Sequence, residues 1–164
     1  IKPAAALTRT GVIGLLGTDA TIRQAYVDRL EAEFAADKRL LRFGAPELVA
    51  AAEAKLRGEP VDPAVFARAA DGLRRQPEGD RIDTVVLACT HFPLVEEELA
   101  RAFGPGVRFV HGAQGIARRI AYLTQGQDFR RAHPDTALFT RDDPALTTLA
   151  PALARYGLER RIVL

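Results

Sequence analysis

Apolar and polar residues along this chain switch repeatedly between strand-like runs and helix-like spacing. Residues 12–16 form a short apolar run closed by Gly17, which predicts a buried strand. Residues 20–35 then carry Ile22, Tyr26, Leu30 and Phe34 at helical intervals. A second strand is predicted over 39–43 and a helix over 46–56. Asp62 and Pro63 supply a cap and a proline at the first helical position; Phe66, Ala69, Ala70 and Leu73 form that helix's inner face. The clearest strand is 83–88, Asp-Thr-Val-Val-Leu-Ala, rich in β-branched residues and uninterrupted. Pro93 opens a helix with Leu94, Val95, Leu99 and Phe103, stopped by Gly104-Pro105-Gly106. A strand over 107–110, a helix over 115–123 and a strand over 136–139 follow. A helix capped by Asp143-Pro144, with Leu146, Leu149, Leu153 and Tyr156 on one face, leads to a last strand over 161–164. Strands separated by helices of this length need crossover connections. The expected fold is α/β, a mostly parallel sheet with helices on both faces.

Composition narrows the chemistry. A chain of 164 residues fits about one domain and allows a sizeable core. The net charge of +2 arises from 20 arginines and three lysines against 21 acidic residues, and the arginines are scattered, so no nucleic-acid partner is expected. The chain contains no serine, asparagine, methionine or tryptophan. Without serine there is no Ser-His-Asp hydrolase and no nucleophile elbow. The single Cys89 excludes an internal disulfide framework and a cysteine-based zinc site, and no metal is expected. Nothing in residues 1–7 resembles a signal peptide, and the apolar stretch 11–17 is too short to span a bilayer. No membrane association is expected, and the default location is a reducing cytoplasm. A chain without methionine that opens on Ile1 suggests a fragment or processed product.

In open parallel sheets, ligands sit outside the carboxyl ends of the strands. The strongest strand delivers Cys89-Thr90-His91-Phe92-Pro93 at that end, followed by a helix. A thiol just before a helix start lies near unpaired N–H groups, which favour negative charge on sulfur. Thr90 offers a hydroxyl and a backbone N–H for a carboxylate. His91, two residues on, could hydrogen-bond the sulfur or carry its proton. A lone cysteine closing an apolar strand is more often a buried small hydrophobe than a nucleophile. The Thr-His that follows is poor core material, and it shifts the balance towards a site.

These residues resemble the C-terminal portion of the glutamate racemase family, within the aspartate/glutamate racemase superfamily. Its second cysteine motif is typically Leu-Gly-Cys-Thr-His-Tyr-Pro, and here the run is Leu87-Ala88-Cys89-Thr90-His91-Phe92-Pro93. Gly17-Thr18, with Thr21 and Tyr26 after it, is similar to the family's strand-to-helix turn. Pro46, Val49 and Glu53 are similar to its Pro-x-x-Val-x-x-x-Glu segment. Residues 112–123, with Ala117-Arg118-Arg119, resemble the helix that returns to the first domain. The departures are Ala88 for glycine, Phe92 for tyrosine, and His111 where the family usually has an acidic or small polar residue. His111 is expected to be a partly exposed strand-end histidine, and His133, beside Pro134, a surface one.

The resemblance implies an isomerase that interconverts L- and D-glutamate without a cofactor and supplies D-glutamate for peptidoglycan. Two acid/base groups must flank the α-carbon, one ionised and one protonated. Cys89 would be one of two cysteines, and His91 would set the proton on its sulfur. Thr90 and the His91 backbone would bind substrate polar groups, with Thr18 and Thr21 lining the cleft or merely capping a helix. Glu53 is expected behind His91, unless it is a solvated helix-face carboxylate. The second cysteine and its Asn-Thr neighbours belong to a half that is absent, so this chain is expected to be inactive by itself. Residues 1–107 would then be a whole second domain and 108–164 a segment returning to the missing first one. Racemases of this kind commonly pair, which leaves a homodimer open. Two other readings stand beside this one: a racemase of aspartate or a hydantoin, and a truncated binding or regulatory domain.

Overall fold

The computed structural model describes residues 1–130 and 133–164. Its centre is a four-stranded sheet of β1 (Val12–Gly17), β2 (Arg39–Gly44), β3 (Thr84–Leu87) and β4 (Arg108–Val110) in the order β2-β1-β3-β4. Every pairing in it is parallel, with Leu16 opposite Phe43 on one side and Leu87 on the other. The fold is α/β with a parallel sheet, as the alternation of periods predicts. β4 pairs with β3, so this sheet runs to Val110.

Alternation along the strands explains why both faces carry helices. Val12, Leu16, Leu41, Val85 and Leu87 point into one core with α4 (Glu47–Leu56), α5 (Ala64–Arg74) and α6 (Glu96–Phe103). Ile13, Leu15, Leu40 and Val86 point into the other, with Ala4 of α1 (Lys2–Leu7) and Val27 of α3 (Ala25–Phe34). Two glycines permit close packing on the first face. A Cβ on Gly14 would lie 2.8 Å from the Leu73 side chain, and one on Gly72 would lie 2.3 Å from the Phe43 ring. Phe66, Ala69, Ala70 and Leu73 are all buried, so the inner face of α5 is the expected one.

The helix expected over 20–35 is two helices, α2 (Asp19–Ile22) and α3, broken at Arg23 and Gln24. The break changes the phase of the inner face: Val27 is buried, while Tyr26 is exposed. α1 was not foreseen, because six residues rich in alanine carry too little periodicity to identify a helix. The segment after Pro93 begins as a short 3₁₀ turn, Phe92–Val95, and becomes α-helical only at Glu96. Beyond β4, α7 (Ala113–Leu123) buries none of its residues. β5 (Thr136–Phe139), α8 (Ala145–Arg155) and β6 (Arg160–Val163) then form a separate parallel two-stranded sheet with its crossover helix. Tyr156, expected on the inner face of α8, is exposed.

Asp83, just before β3, ties the α1–β1 connection to the sheet. It accepts from the Thr8 hydroxyl (2.6 Å), from the Arg9 and Thr10 N–H groups (2.7 and 3.2 Å) and from the Thr84 hydroxyl (3.0 Å). Burial pushes its carboxyl up, but these donors together outweigh burial and hold it below the ordinary carboxylate value. A carboxylate depressed in the folded state contributes stability above its unfolded-state value, and that contribution is lost as pH falls through the folded one. Asp83→Asn is therefore expected to cost about 1 kcal/mol at neutral pH. It should also flatten the loss of stability on acidification, as urea titrations from neutral pH down to about pH 3 will read.

Candidate active site

Parallel pairing of β1 with β3 brings the carboxyl ends of both strands to one edge, where the Ala88 N–H donates to the Leu16 carbonyl (2.8 Å). The chain then leaves β3 through Cys89, Thr90 and His91 as a tight turn. Phe92 and Val95 are completely buried and anchor this turn in the core. The Phe92 N–H donates to the Cys89 carbonyl (3.2 Å), and the Leu94 N–H to the His91 carbonyl (3.0 Å). From α4, Lys55 Nζ donates to the Leu94 carbonyl (2.8 Å) and pairs with Glu98 (2.9 Å), which fixes α4 against the turn.

That docking assembles a chain of polar groups. Cys89 Sγ lies 4.0 Å from His91 Nδ1, and His91 Nε2 lies 3.0 Å from Glu53 Oε1. An ionised carboxylate only accepts, so Nε2 carries the hydrogen and Nδ1 turns its lone pair, or a second proton, to the sulfur. Cys89 is half-buried, and the His91 side chain is 33% and the Glu53 side chain 39% exposed. The arrangement can pass a proton between sulfur and imidazole while staying open to a ligand. The expected pairing of Glu53 with His91 is present across 38 positions of sequence. The α-helical N-terminus expected beside the sulfur is not. Only a turn of 3₁₀ helix follows, and α6 starts with Glu96, Glu97 and Glu98. A single turn has little macrodipole, and His91 Nδ1 is the side-chain group that approaches the thiol among the described residues.

Cys89 and Thr90 line an open cavity of about 350 Å³, together with Leu87, Pro93, Ile116 and His111 at the end of β4. Strand pairing of β4 on β3 places His111 beside the cysteine turn. Its Nδ1 accepts from the Ala113 N–H (3.3 Å), and its Nε2 faces Glu96 at 3.8 Å. The sequence leaves its role open because the only local signal is its position at a strand's carboxyl end. Thr18 and Thr21 stand at the end of β1 on the same sheet edge. Thr18 caps α2, accepting from the Thr21 N–H (3.3 Å), with the two hydroxyls 3.0 Å apart. Neither lines the cysteine cavity. His133 is exposed. Among the described residues, no group of three or more His, Cys, Asp or Glu side chains is placed to hold a metal ion. Among the described residues, no helix is long and apolar enough to cross a membrane.

The chain is matched by known proteins in both sequence and fold. A family model described as Asp/Glu/Hydantoin racemase matches residues 2–120, and the chain belongs to this family. The glutamate racemase of Sphingopyxis alaskensis is 61% identical over 163 residues, spanning 96% of this chain and 59% of that protein. The glutamate racemase of Pectobacterium carotovorum is 44% identical over 161 residues, spanning 97% and 56%. The crystal structure of Escherichia coli glutamate racemase with L-glutamate and the activator UDP-MurNAc-ala superposes with a TM-score of 0.91 at 40% identity. That match covers all of this chain and 62% of the other. A glutamate racemase isoform from Bacillus anthracis, at 21% identity and a TM-score of 0.75, shares the fold. The chain thus spans less than two thirds of the length of the relatives it matches.

The geometry sets the expected reactivity of the sulfur. His91→Ala should slow alkylation of Cys89 by iodoacetamide near neutral pH by roughly tenfold, because the imidazole that can take the thiol proton is gone. Glu53→Gln should give a smaller loss, and timed mass spectrometry of the alkylated chain measures both.

Proposed function

We propose that this chain is the Cys89-bearing part of a cofactor-independent glutamate racemase. The observation that carries this reading is the run Cys89–His91–Glu53 at the carboxyl end of β3 in a chain of this family. The 61% and 44% identical glutamate racemases support glutamate over aspartate or a hydantoin, the other substrates named in the family's description.

In the direction from L-glutamate, the Cys89 thiolate takes the α-proton and becomes S–H. A second thiol on the opposite face gives its proton to the α-carbon and becomes the thiolate, and the reverse reaction exchanges the roles. Between turnovers Nδ1 of His91 holds or returns the proton of Cys89, with Glu53 keeping the imidazole oriented. Thr90 and the His91 backbone meet the substrate's polar groups, with Thr18 and Thr21 on the neighbouring strand end. Cys89 is the only cysteine in these 164 residues, so the second thiol must come from residues outside them. The product, D-glutamate, would serve cytoplasmic peptidoglycan synthesis.

The surface beyond β4 supports a missing neighbour. Ile116, Ile120 and Leu123 lie on one face of α7 and are each more than half exposed, as are Phe129 and Leu138. The β5–β6 pair is a two-stranded sheet, too small to stand alone in water. We assign this region to the domain that supplies the second cysteine.

The purified 164-residue chain is therefore expected not to interconvert D- and L-glutamate. Fused to the N-terminal part of the Sphingopyxis relative, it should racemise glutamate, and Cys89→Ala should lower that rate by at least about 10²-fold. Racemisation by the isolated chain that Cys89→Ala abolishes would overturn the two-part reading. A fused protein that binds glutamate without racemising it would point to a regulatory domain instead.

A further inference from the structure

Glu53 has two oxygens, and only Oε1 is engaged by His91. The other, Oε2, accepts from Nη1 of Arg57 (3.3 Å), one turn further along α4. Arg57 ends that helix, and its Nε–Nη2 edge is committed as well: Nε to Glu59 Oε1 (2.8 Å) and Nη2 to Glu59 Oε2 (3.3 Å). The guanidinium is thus forked between two carboxylates, and one edge is clamped so that a single N–H points at Glu53. We propose that Arg57, clamped by Glu59, is a positioning residue that tunes the thiol of Cys89 through Glu53 and His91, an inference that rests on the site described above.

The physical argument turns on sign. A cation on Oε2 withdraws negative charge from the carboxylate and weakens its hold on the Nε2 hydrogen, so His91 becomes a poorer proton acceptor for the sulfur. Acting directly through space, the same cation would favour the thiolate. Arg57 reaches Cys89 only across Glu53 and the whole imidazole ring, with Glu53 as its one contact on that path, and salt screens what acts directly through space. The relay therefore dominates. Lys55, Glu98 and Glu96 nearby are committed elsewhere. Lys55 on α4 is held by Glu98 of α6 and the Leu94 carbonyl, and Glu96 faces His111. Arg155 of α8 lines the same cavity as Arg57 but makes no ion pair within 4.0 Å among the described residues. At the far end of the clamp, the hydrogen bond from Arg57 holds the Glu59 carboxyl below its ordinary value.

The test is the pH dependence of Cys89 alkylation by iodoacetamide in the full chain, measured for the parent, Arg57→Gln, Arg57→Lys and His91→Ala. Arg57→Gln should move the midpoint to lower pH by about half a unit, the size expected of a half-exposed ion pair. Arg57→Lys keeps a cation at Oε2 and should retain the parent profile. No shift, or a shift to higher pH as a purely through-space effect gives, would overturn the proposal, as would a shift of equal size with lysine. His91→Ala separates this from failure of the site itself. If it leaves the profile unchanged, Cys89 is not coupled to His91 and the underlying reading falls; if it alters the profile while Arg57→Gln does not, only the role of Arg57 falls.

Discussion

The structure depends on the parallel pairing of β1 with β3 at the centre of the sheet. Both strands are flanked on either side, so their backbone groups are satisfied within the ladder and their side chains feed both cores. Burial of Ile13, Leu15, Leu16 and Val85 holds the register, because a slip of one residue would send every side chain to the opposite face. This register aligns Leu16 with Leu87 and so brings the turn after β1 beside the turn after β3. Thr18 and Cys89 share an edge for that reason alone.

Stability and function are divided among different residues at this edge. Phe92 and Val95, without polar groups in their side chains, lock the cysteine turn by burial. The polar chain from Cys89 to Glu53 is half-exposed, and ion pairs in such places contribute at most about 1 kcal/mol each. Its value is orientation. A carboxylate that accepts from Nε2 selects one imidazole tautomer, and the selection decides which nitrogen meets the sulfur.

Much of this was legible along the chain, and the failures are instructive. The strands at 12–16 and 83–88 are buried on both faces, so they read as apolar runs whatever surrounds them. The inner face of α5 repeats at a clear helical spacing. Residues 20–35 misled because Ile22, Tyr26, Leu30 and Phe34 keep a regular interval across a break that the backbone makes at Arg23 and Gln24. After that break the helix turns Val27 inward and Tyr26 out. At the site, Cys-Thr-His was recognisable as poor core material. His111 was not assigned, because its place on the cysteine cavity comes from the pairing of β4 with β3 and not from its neighbours in sequence.

By itself the sequence determined the class of fold and which turn carries the chemistry, since both rest on local composition and on periods of two and 3.6 residues. Only the tertiary structure decided which nitrogen of His91 faces sulfur, that Glu53 meets the other one, and that the α-helix after Cys89 begins only at Glu96. The contacts that join Glu53 to His91 span 38 positions of sequence and are a matter of ångströms. They are set by how α4 is docked on a buried Phe92, and no local pattern encodes that distance.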